Sequence, residues 1–406
     1  MDERVEPSVV SHTGADHAFT PRPAVSRRER ALDRLRGASA RLTSLADLVE
    51  LVIDDEPVFV GGPGGQIRAA APGEAAASLA IGADNLVRLI DGQLDPRSGL
   101  LFGQVRVTGS VPAAMRFCDA ISGVERGRSS FDPATLPKPT TDRDRAKADL
   151  ERFGYCLVKD ALTPDRTQAL RKRLRQQADG EKAAGVGSFD GGPDGPNQRV
   201  WTLINKGREF EDLLDDPLID EFVPDLLGDH AIIFSYSANI AGPGGQPQIL
   251  HYDQISVQPP IPDVMVGLNI AYFLDDVTEA NGGTRLAPCS GQRGMAPDDP
   301  FSIEGTIAAE GPAGTALLWD SRIWHGTGAN RTDGLRHVIL LYFNRHFMRA
   351  QENWSLSLRD DVRARLSERA LTMLGFRVTN TMGGVEGPRE GAIVGRPADP
   401  VGRLGG

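Results

Sequence analysis

The chain has 406 residues, a formal charge of −10 and a pI near 5.3, a balance that argues against a nucleic-acid or anionic-membrane partner. Its length exceeds one ordinary domain and suggests two. Three scattered cysteines (Cys118, Cys156 and Cys289) are too few for a disulfide framework or a zinc knuckle, and predict reduced thiols in a cytoplasmic protein.

The start, Met1-Asp-Glu-Arg-Val-Glu-Pro7, lacks the basic residues and apolar run of a signal peptide. No apolar stretch reaches the roughly 18 to 20 residues needed to cross a bilayer. Residues 1–27 are polar and aperiodic and read as a mobile tail. Residues 28–124 carry the pattern of a small α+β domain. Leu32, Leu35, Leu42, Leu45 and Leu48 predict a helix over Arg28 to Leu51. Pro57–Val60 and Gln66–Ala69 flank Gly61-Gly-Pro-Gly-Gly65 as a hairpin, followed by a strand at Ala77–Ile81 and a helix at Ala83–Ile90. The run Asp91-Gly-Gln-Leu-Asp-Pro96 to Gly103-Gln-Val-Arg-Val-Thr-Gly109 precedes a last helix, Val111 to Ile121. This part resembles the C-terminal half of a sterol-carrier-protein-2-like domain. The resemblance implies an apolar tunnel between sheet and helices, but the copy is short, so support or dimerisation is favoured over ligand delivery.

Glu125 to Asp142, with Ser129-Ser-Phe-Asp-Pro-Ala-Thr-Leu-Pro-Lys-Pro139, is a Pro-rich linker. Residues 143–350 form the second domain and 351–406 a C-terminal extension. Arg143 to Phe153 reads as a helix, Gly154–Lys159 as a strand, and Thr163-Pro-Asp-Arg166 starts a capped helix through Gln177. The Gly/Asp-rich segment from Gly185 to Gln198 is expected to be a surface loop near the site mouth. Many short strands separated by Gly/Pro turns, from 199 to 345, fit a double-stranded β-helix, the jelly-roll barrel that can hold a ligand inside.

The chemistry concentrates in this barrel. His251-Tyr252-Asp253 places His and Asp two apart, on one side of an extended segment. With His325 they offer two imidazoles and one carboxylate, a set that caps one face of Fe(II) and leaves three positions open. Arg336 heads the apolar run His337-Val-Ile-Leu-Leu-Tyr-Phe343 and needs a partner, because an unpaired guanidinium in a core costs several kcal/mol. Its planar fork suits a carboxylate of a co-substrate. An internal salt bridge to Asp320 or Asp275 is the structural alternative.

Together these residues resemble the phytanoyl-CoA dioxygenase family of Fe(II)/2-oxoglutarate-dependent oxygenases. Leu274-Asp-Asp-Val-Thr-Glu-Ala-Asn-Gly-Gly-Thr-Arg-Leu-Ala-Pro288, Asp320-Ser-Arg-Ile-Trp-His-Gly-Thr-Gly-Ala-Asn330, Gln351-Glu-Asn-Trp-Ser-Leu-Ser-Leu358 and Met373-Leu-Gly-Phe376 carry the likeness beyond the triad, over about residues 145 to 390. The resemblance implies that His251, Asp253 and His325 bind iron and that Arg336, helped by Thr327, holds the distal carboxylate of 2-oxoglutarate. Gln248, Thr284 and Asn269 are further candidate contacts to the oxo-acid. Pro288-Cys-Ser-Gly291 departs from the family's usual Pro-Gly-Ser-His at a residue that is not an iron ligand. Asp253 stands where related halogenases have a small residue, so hydroxylation, desaturation or ring formation is favoured over halogenation. The expected partners are a small to mid-sized, partly apolar metabolite of specialised biosynthesis and dioxygen, with a homodimer left open. The rival reading is a non-catalytic carrier of a hydrophobic ligand or acyl group.

Overall fold

The computed structural model describes residues 26–383 apart from 44, 62–65, 69–74, 124–130, 191, 194, 258–260, 262, 292–295 and 380–381. The expected tail through residue 25, the tip of the Gly61–Gly65 hairpin, the first part of the linker and the end of the C-terminal extension lie outside the described residues.

The first unit begins with helix α1 (Arg27–Ala38), whose Ser26 and Glu29 satisfy each other's backbone N–H groups in a capping box. The helix expected through Leu51 stops there. A 3-10 turn follows, and Leu48–Ile53 forms strand β1. Leu45 and Leu48 continue a helical spacing, but Val49, Val52 and Ile53 are β-branched and better suited to a pleated surface. Asp54 and Asp55, both with positive φ, make the two-residue turn to β2 (Glu56–Gly61), a conformation Asp tolerates better than most residues. With β3 (Gln66–Arg68), β4 (Ala77–Ile81) and β5 (Val105–Gly109) these strands form a sheet in the order β3-β2-β1-β4-β5, with β1 and β4 parallel. Helices α2 (Ala83–Ile90), α3 (Pro96–Leu101) and α4 (Val111–Ser122) complete the unit. Leu35, Leu51, Leu79, Leu86, Leu89, Phe117 and Ile121 are fully buried in one cluster shared by sheet and helices.

In the second unit α5 (Arg143–Phe153), β6 (Tyr155–Val158) and α6 (Pro164–Ala183) lead to a hairpin of β7 (Ser188–Asp190) and β8 (Asn197–Val200). The segment from Gly185 to Gln198, expected as a loop, thus contributes strands to a sheet edge. Its polar composition hides the pairing, which Gln198 anchors by donating from a buried Nε2 to the Ala178 carbonyl at 3.0 Å. After α7 (Arg208–Glu211) and α8 (Pro217–Leu227), strands β9 (Ile232–Ala241), β10 (Gly267–Phe273), β13 (Ala316–Asp320) and β15 (Arg336–Asn344) complete a seven-stranded sheet ordered β6-β13-β10-β15-β9-β8-β7. A second sheet, β12-β11-β14, joins β11 (Arg285–Leu286), β12 (Ile307–Ala308) and β14 (His325–Gly326). This is the expected jelly-roll core with flanking helices.

Both faces of the large sheet are buried, so its strands read as continuous apolar runs. Leu268, Ile270 and Tyr272 of β10 face the helices with Leu318, Leu341 and Phe343. Ala271 and Phe273 alternate to the other face, where they meet Leu286 of the small sheet with Leu317, Trp319 and Val338. Short helices α9 (Trp354–Ser357), α10 (Asp360–Arg363) and α11 (Glu368–Met373) close the helical side, and Trp354 Nε1 donates to the Ile233 carbonyl at 2.8 Å.

Arg97, at the start of α3, ties the two units together and is 1% exposed. Its guanidinium forms two bonds to Asp119, at 2.7 and 2.9 Å, while its Nε donates to the Pro297 carbonyl of the second unit at 2.8 Å. Arg97→Ala leaves Asp119 without its fork and Pro297 without its donor. We expect a loss of about 3 kcal/mol in urea unfolding, the scale for removing one partner of a buried pair. A loss below about 1 kcal/mol, the surface-pair scale, would show that this contact does not tie the units.

Candidate active site

The histidines come together through backbone pairing. His251 and His325 form an antiparallel bridge, with His251 N–H donating to the His325 carbonyl at 2.9 Å and the reverse bond at 2.8 Å. Their rings stand 4.4 Å apart between centroids. Tyr252 keeps an extended backbone (φ −125°, ψ 140°), so Asp253 turns to the same side as His251 before a 3-10 turn begins. The strand expected at this motif is therefore only one bridge long, and the two-residue alternation still holds.

Each imidazole is oriented by a carbonyl two residues earlier. His251 Nδ1 lies 3.1 Å from the Ile249 oxygen, and His325 Nδ1 lies 3.0 Å from the Ile323 oxygen. A carbonyl only accepts, so each Nδ1 carries the hydrogen and each Nε2 keeps its lone pair. Those Nε2 atoms point at one carboxylate, at 3.8 Å from Asp253 Oδ1 and 3.5 Å from Asp253 Oδ2. One ligand atom from each residue falls within 4.8 Å of the others, a spacing that fits a single metal ion. Burial, then the neighbouring His325, pushes His251 down to about 4, so it is a neutral donor at neutral pH.

Asn269 Nδ2 donates to Asp253 Oδ2 at 2.6 Å. The structure therefore places this candidate oxo-acid contact on the carboxylate of the triad, where it would orient a candidate ligand. Gln248 Oε1 accepts from the Thr327 backbone N–H and hydroxyl, both at 3.3 Å, and Asn239 Nδ2 donates to that hydroxyl at 2.9 Å. Thr284 and all the other candidate site residues line one cavity of about 360 Å³.

Arg336 is 2% exposed, and burial holds its guanidinium below the usual range, to about 10, so it is charged at neutral pH. Neither carboxylate of the structural alternative neutralises it. Asp275 is occupied by His337 Nδ1 and Arg171, both at 2.7 Å, and Asp320 by Arg322. Arg336 Nη2 donates to the Gly282 carbonyl, while its buried Nε has no hydrogen-bond partner. The turn supplying that carbonyl approaches the His325 turn through glycines. A Cβ on Gly328 would lie 2.5 Å from the Gly283 oxygen, so any side chain there forces the turns apart.

The sequence reading missed several participants. Asn239 and Arg199 face the cavity from β9 and β8. Tyr252 packs its ring 5.0 Å from Trp324, and its hydroxyl is 3.0 Å from Ser98 Oγ of the first unit. An i,i+2 alternation gave some signal for Asn239, but cross-strand and interdomain neighbours leave none in one sequence.

Known proteins are similar to both units of the chain. The family model described as "Phytanoyl-CoA dioxygenase (PhyH)" matches residues 150–338, and that of the "SCP-2 sterol transfer family" matches residues 29–122. "Dioxygenase af480" of Aspergillus fumigatus is 30% identical over 249 residues, covering 59% of this chain and 80% of that protein. "Dioxygenase ALT11" of Alternaria alternata is 28% identical over 275 residues, covering 63% of this chain and 88% of that protein. The crystal structure of AviO1 from Streptomyces viridochromogenes Tue57 is similar over 52% of this chain and 99% of that one, at 20% identity and a TM-score of 0.43. No helix among the described residues is long and apolar enough to cross a membrane. The chain belongs to the phytanoyl-CoA dioxygenase family, as a non-haem Fe(II)- and 2-oxoglutarate-dependent dioxygenase with an SCP-2-type domain ahead of its catalytic one.

Proposed function

We propose that His251, Asp253 and His325 hold the iron, that Arg336 binds the distal carboxylate of 2-oxoglutarate, and that the enzyme hydroxylates, desaturates or cyclises a small to mid-sized, partly apolar metabolite. The observation that carries this reading is Arg336. It is a buried cation with an unused donor, lacks a carboxylate partner among the described residues, and lines the same cavity as the three metal-ligand candidates. A guanidinium in that setting is stabilised when a carboxylate arrives from outside. The iron, when bound, supplies the oxidising chemistry with 2-oxoglutarate and dioxygen.

The protein's own part is positioning. The Ile249 and Ile323 carbonyls hold both rings with Nε2 toward the centre, and Asn269 fixes the Asp253 oxygen that would otherwise rotate. Thr327, Gln248 and Thr284 offer polar groups along the path from Arg336 to the triad, while Val338, Leu340 and Trp319 keep that wall apolar. Retention of Asp253 as a third protein ligand leaves no vacant halide position, which favours the three outcomes named over halogenation. In a setting of reduced cysteines we place the enzyme in the cytoplasm, in a biosynthetic tailoring step.

Anaerobic titration with Fe(II) and 2-oxoglutarate tests the assignment. We expect a weak visible metal-to-ligand charge-transfer band that saturates at one equivalent of iron. A protein that binds both components without that band would not hold the oxo-acid on this metal. Succinate release across a metabolite library, followed by product mass, then identifies substrate and outcome.

A further inference from the structure

Two of the three proposed ligands stand on a segment with little backbone support of its own. His251 forms a single bridge to His325, with Gln248 N–H donating to the Thr327 carbonyl at 2.9 Å on the same edge, and a 3-10 turn begins at Asp253. On the other edge Leu250 N–H donates to the Pro300 carbonyl at 2.8 Å. Side-chain alternation sends the Tyr252 ring opposite to His251 and Asp253, against Trp324, the neighbour of His325. Leu250, Trp324 and Ala287 are buried in a small cluster on which Tyr252 and Ala296 pack.

Helix α3 of the first unit meets this segment twice. Ser98 Oγ shares a hydrogen bond of 3.0 Å with the Tyr252 hydroxyl, and Arg97 Nε donates to the carbonyl of Pro297, in the same stretch as the Pro300 oxygen that holds Leu250. The two contacts thus reach either side of His251. Within its own unit α3 is firmly fixed. Asp95 caps it by accepting from the Arg97 and Ser98 N–H groups at 3.0 and 2.9 Å, and Arg97 forks onto Asp119 of α4. A Cβ on Gly99 would lie 2.8 Å from the Val105 side chain of β5, so helix and strand are in close contact. Ser98 is 1% exposed and Phe102, one turn on, is 60% exposed, which makes the first turn of α3 the docking face.

A hydroxyl pair enclosed between two units adds little to stability over apolar groups of the same shape. What it adds is direction: the bond sets where the Tyr252 ring lies, and the ring sets the backbone between two ligands. Metal sites tolerate little displacement of their ligand atoms, and loss of an outer partner lowers metal affinity. We propose that the SCP-2-type unit is a structural part of the metal site, with Ser98 as a positioning residue that holds Tyr252 and, through the backbone on either side, His251 and Asp253. Ser98 lies in the part matched by the SCP-2 model and outside the part matched by the dioxygenase model, so one support of this site comes from a neighbouring fold. By linkage the effect is reciprocal, and iron on the triad tightens the docking of α3. This rests on the reading of His251, Asp253 and His325 as the iron ligands.

The test uses the full-length protein. Fe(II) affinity is measured anaerobically by competition with a chelator, and amide hydrogen exchange is followed in peptides covering 94–103 and 248–257, with and without Fe(II) and 2-oxoglutarate. His325→Ala is the control for the underlying reading: if it binds iron as the parent does, that reading fails and this proposal with it. With the control in place, Ser98→Ala and Tyr252→Phe should each weaken Fe(II) binding about three- to tenfold, the scale of one hydrogen bond's net worth. The double variant should lose no more than either single, because both changes remove the same bond. Loading the parent should slow exchange in both peptides; in Ser98→Ala it should slow exchange in 248–257 alone. A merely structural contact would lower stability in urea and leave iron affinity within about twofold, and that result overturns the proposal. So does an additive loss in the double variant, or a parent whose α3 exchanges equally fast with and without iron.

Discussion

His325→Ala is expected to abolish the charge-transfer band and weaken Fe(II) binding by more than about 100-fold, since losing an outer-shell partner alone costs 10- to 100-fold in metal affinity. The substitution removes one of the three ligand atoms that converge within 4.8 Å but keeps the backbone that brings them together. The bridge between residues 251 and 325 uses only main-chain N–H and carbonyl groups, which alanine retains. Metal loss should therefore occur in a folded protein, and thermal unfolding of the metal-free variant checks this. With two ligands left, dioxygen-dependent succinate release should fall to background. Iron binding within a few-fold of the parent, in a folded variant, would remove His325 from the metal site.

For Arg336→Ala we expect 2-oxoglutarate affinity to fall by about 100-fold or more, the range for truncating one side of a buried charged pair. Iron binding, measured in the absence of the oxo-acid, should change by less than about threefold, because Arg336 contributes no ligand atom. Stability separates this from a merely structural role. Arg336 has no carboxylate partner among the described residues, so its removal from the ligand-free protein breaks no ion pair and should cost less than the roughly 3 to 5 kcal/mol typical of such losses. The stabilisation that 2-oxoglutarate confers on the parent, about 2.7 kcal/mol at 100 times Kd, should disappear in the variant. Unchanged co-substrate affinity would reject the assignment. A large loss of ligand-free stability would return Arg336 to the structural reading.

Much of this site was legible in the residues. The His-x-Asp pair needs only an extended residue between its members, and Tyr252 provides it even though the segment is a single bridge and not a strand. Gly282, Gly283 and Gly328 stand in segments that carry the family likeness, and the structure shows why: the close turns they allow deliver a carbonyl to Arg336 and seat Thr284 and Thr327 on one cavity. Arg336 at the head of an apolar run signalled a buried charge. Which partner it would take was open, and the structure removed Asp275 and Asp320 by giving each to other cations.

What was missed has a common cause. Asn269 was offered as an oxo-acid contact only through the family resemblance; that its amide reaches Asp253 depends on a turn 16 residues earlier. Arg199 stood in a chain where only six of 45 basic residues are Lys, beside a segment read as a surface loop, so nothing distinguished it from its many neighbours. Its meaning comes from register, since Arg199 opposite Asn239 faces the cavity and a shift of one residue would point it away. The contact between Ser98 and Tyr252 is less legible still, because it joins separate units through surfaces whose complementarity is three-dimensional.

By itself, then, the order of residues singled out the side chains proposed to carry the chemistry and most of the runs that become strands and helices, because these follow from short-range geometry and residue type. The tertiary structure alone decided which carboxylate a buried arginine lacks, which amide steadies Asp253, and that a sterol-carrier-type unit touches the metal motif. Those outcomes depend on strand register and on the desolvation of charges by segments distant in the chain. Neither is encoded locally.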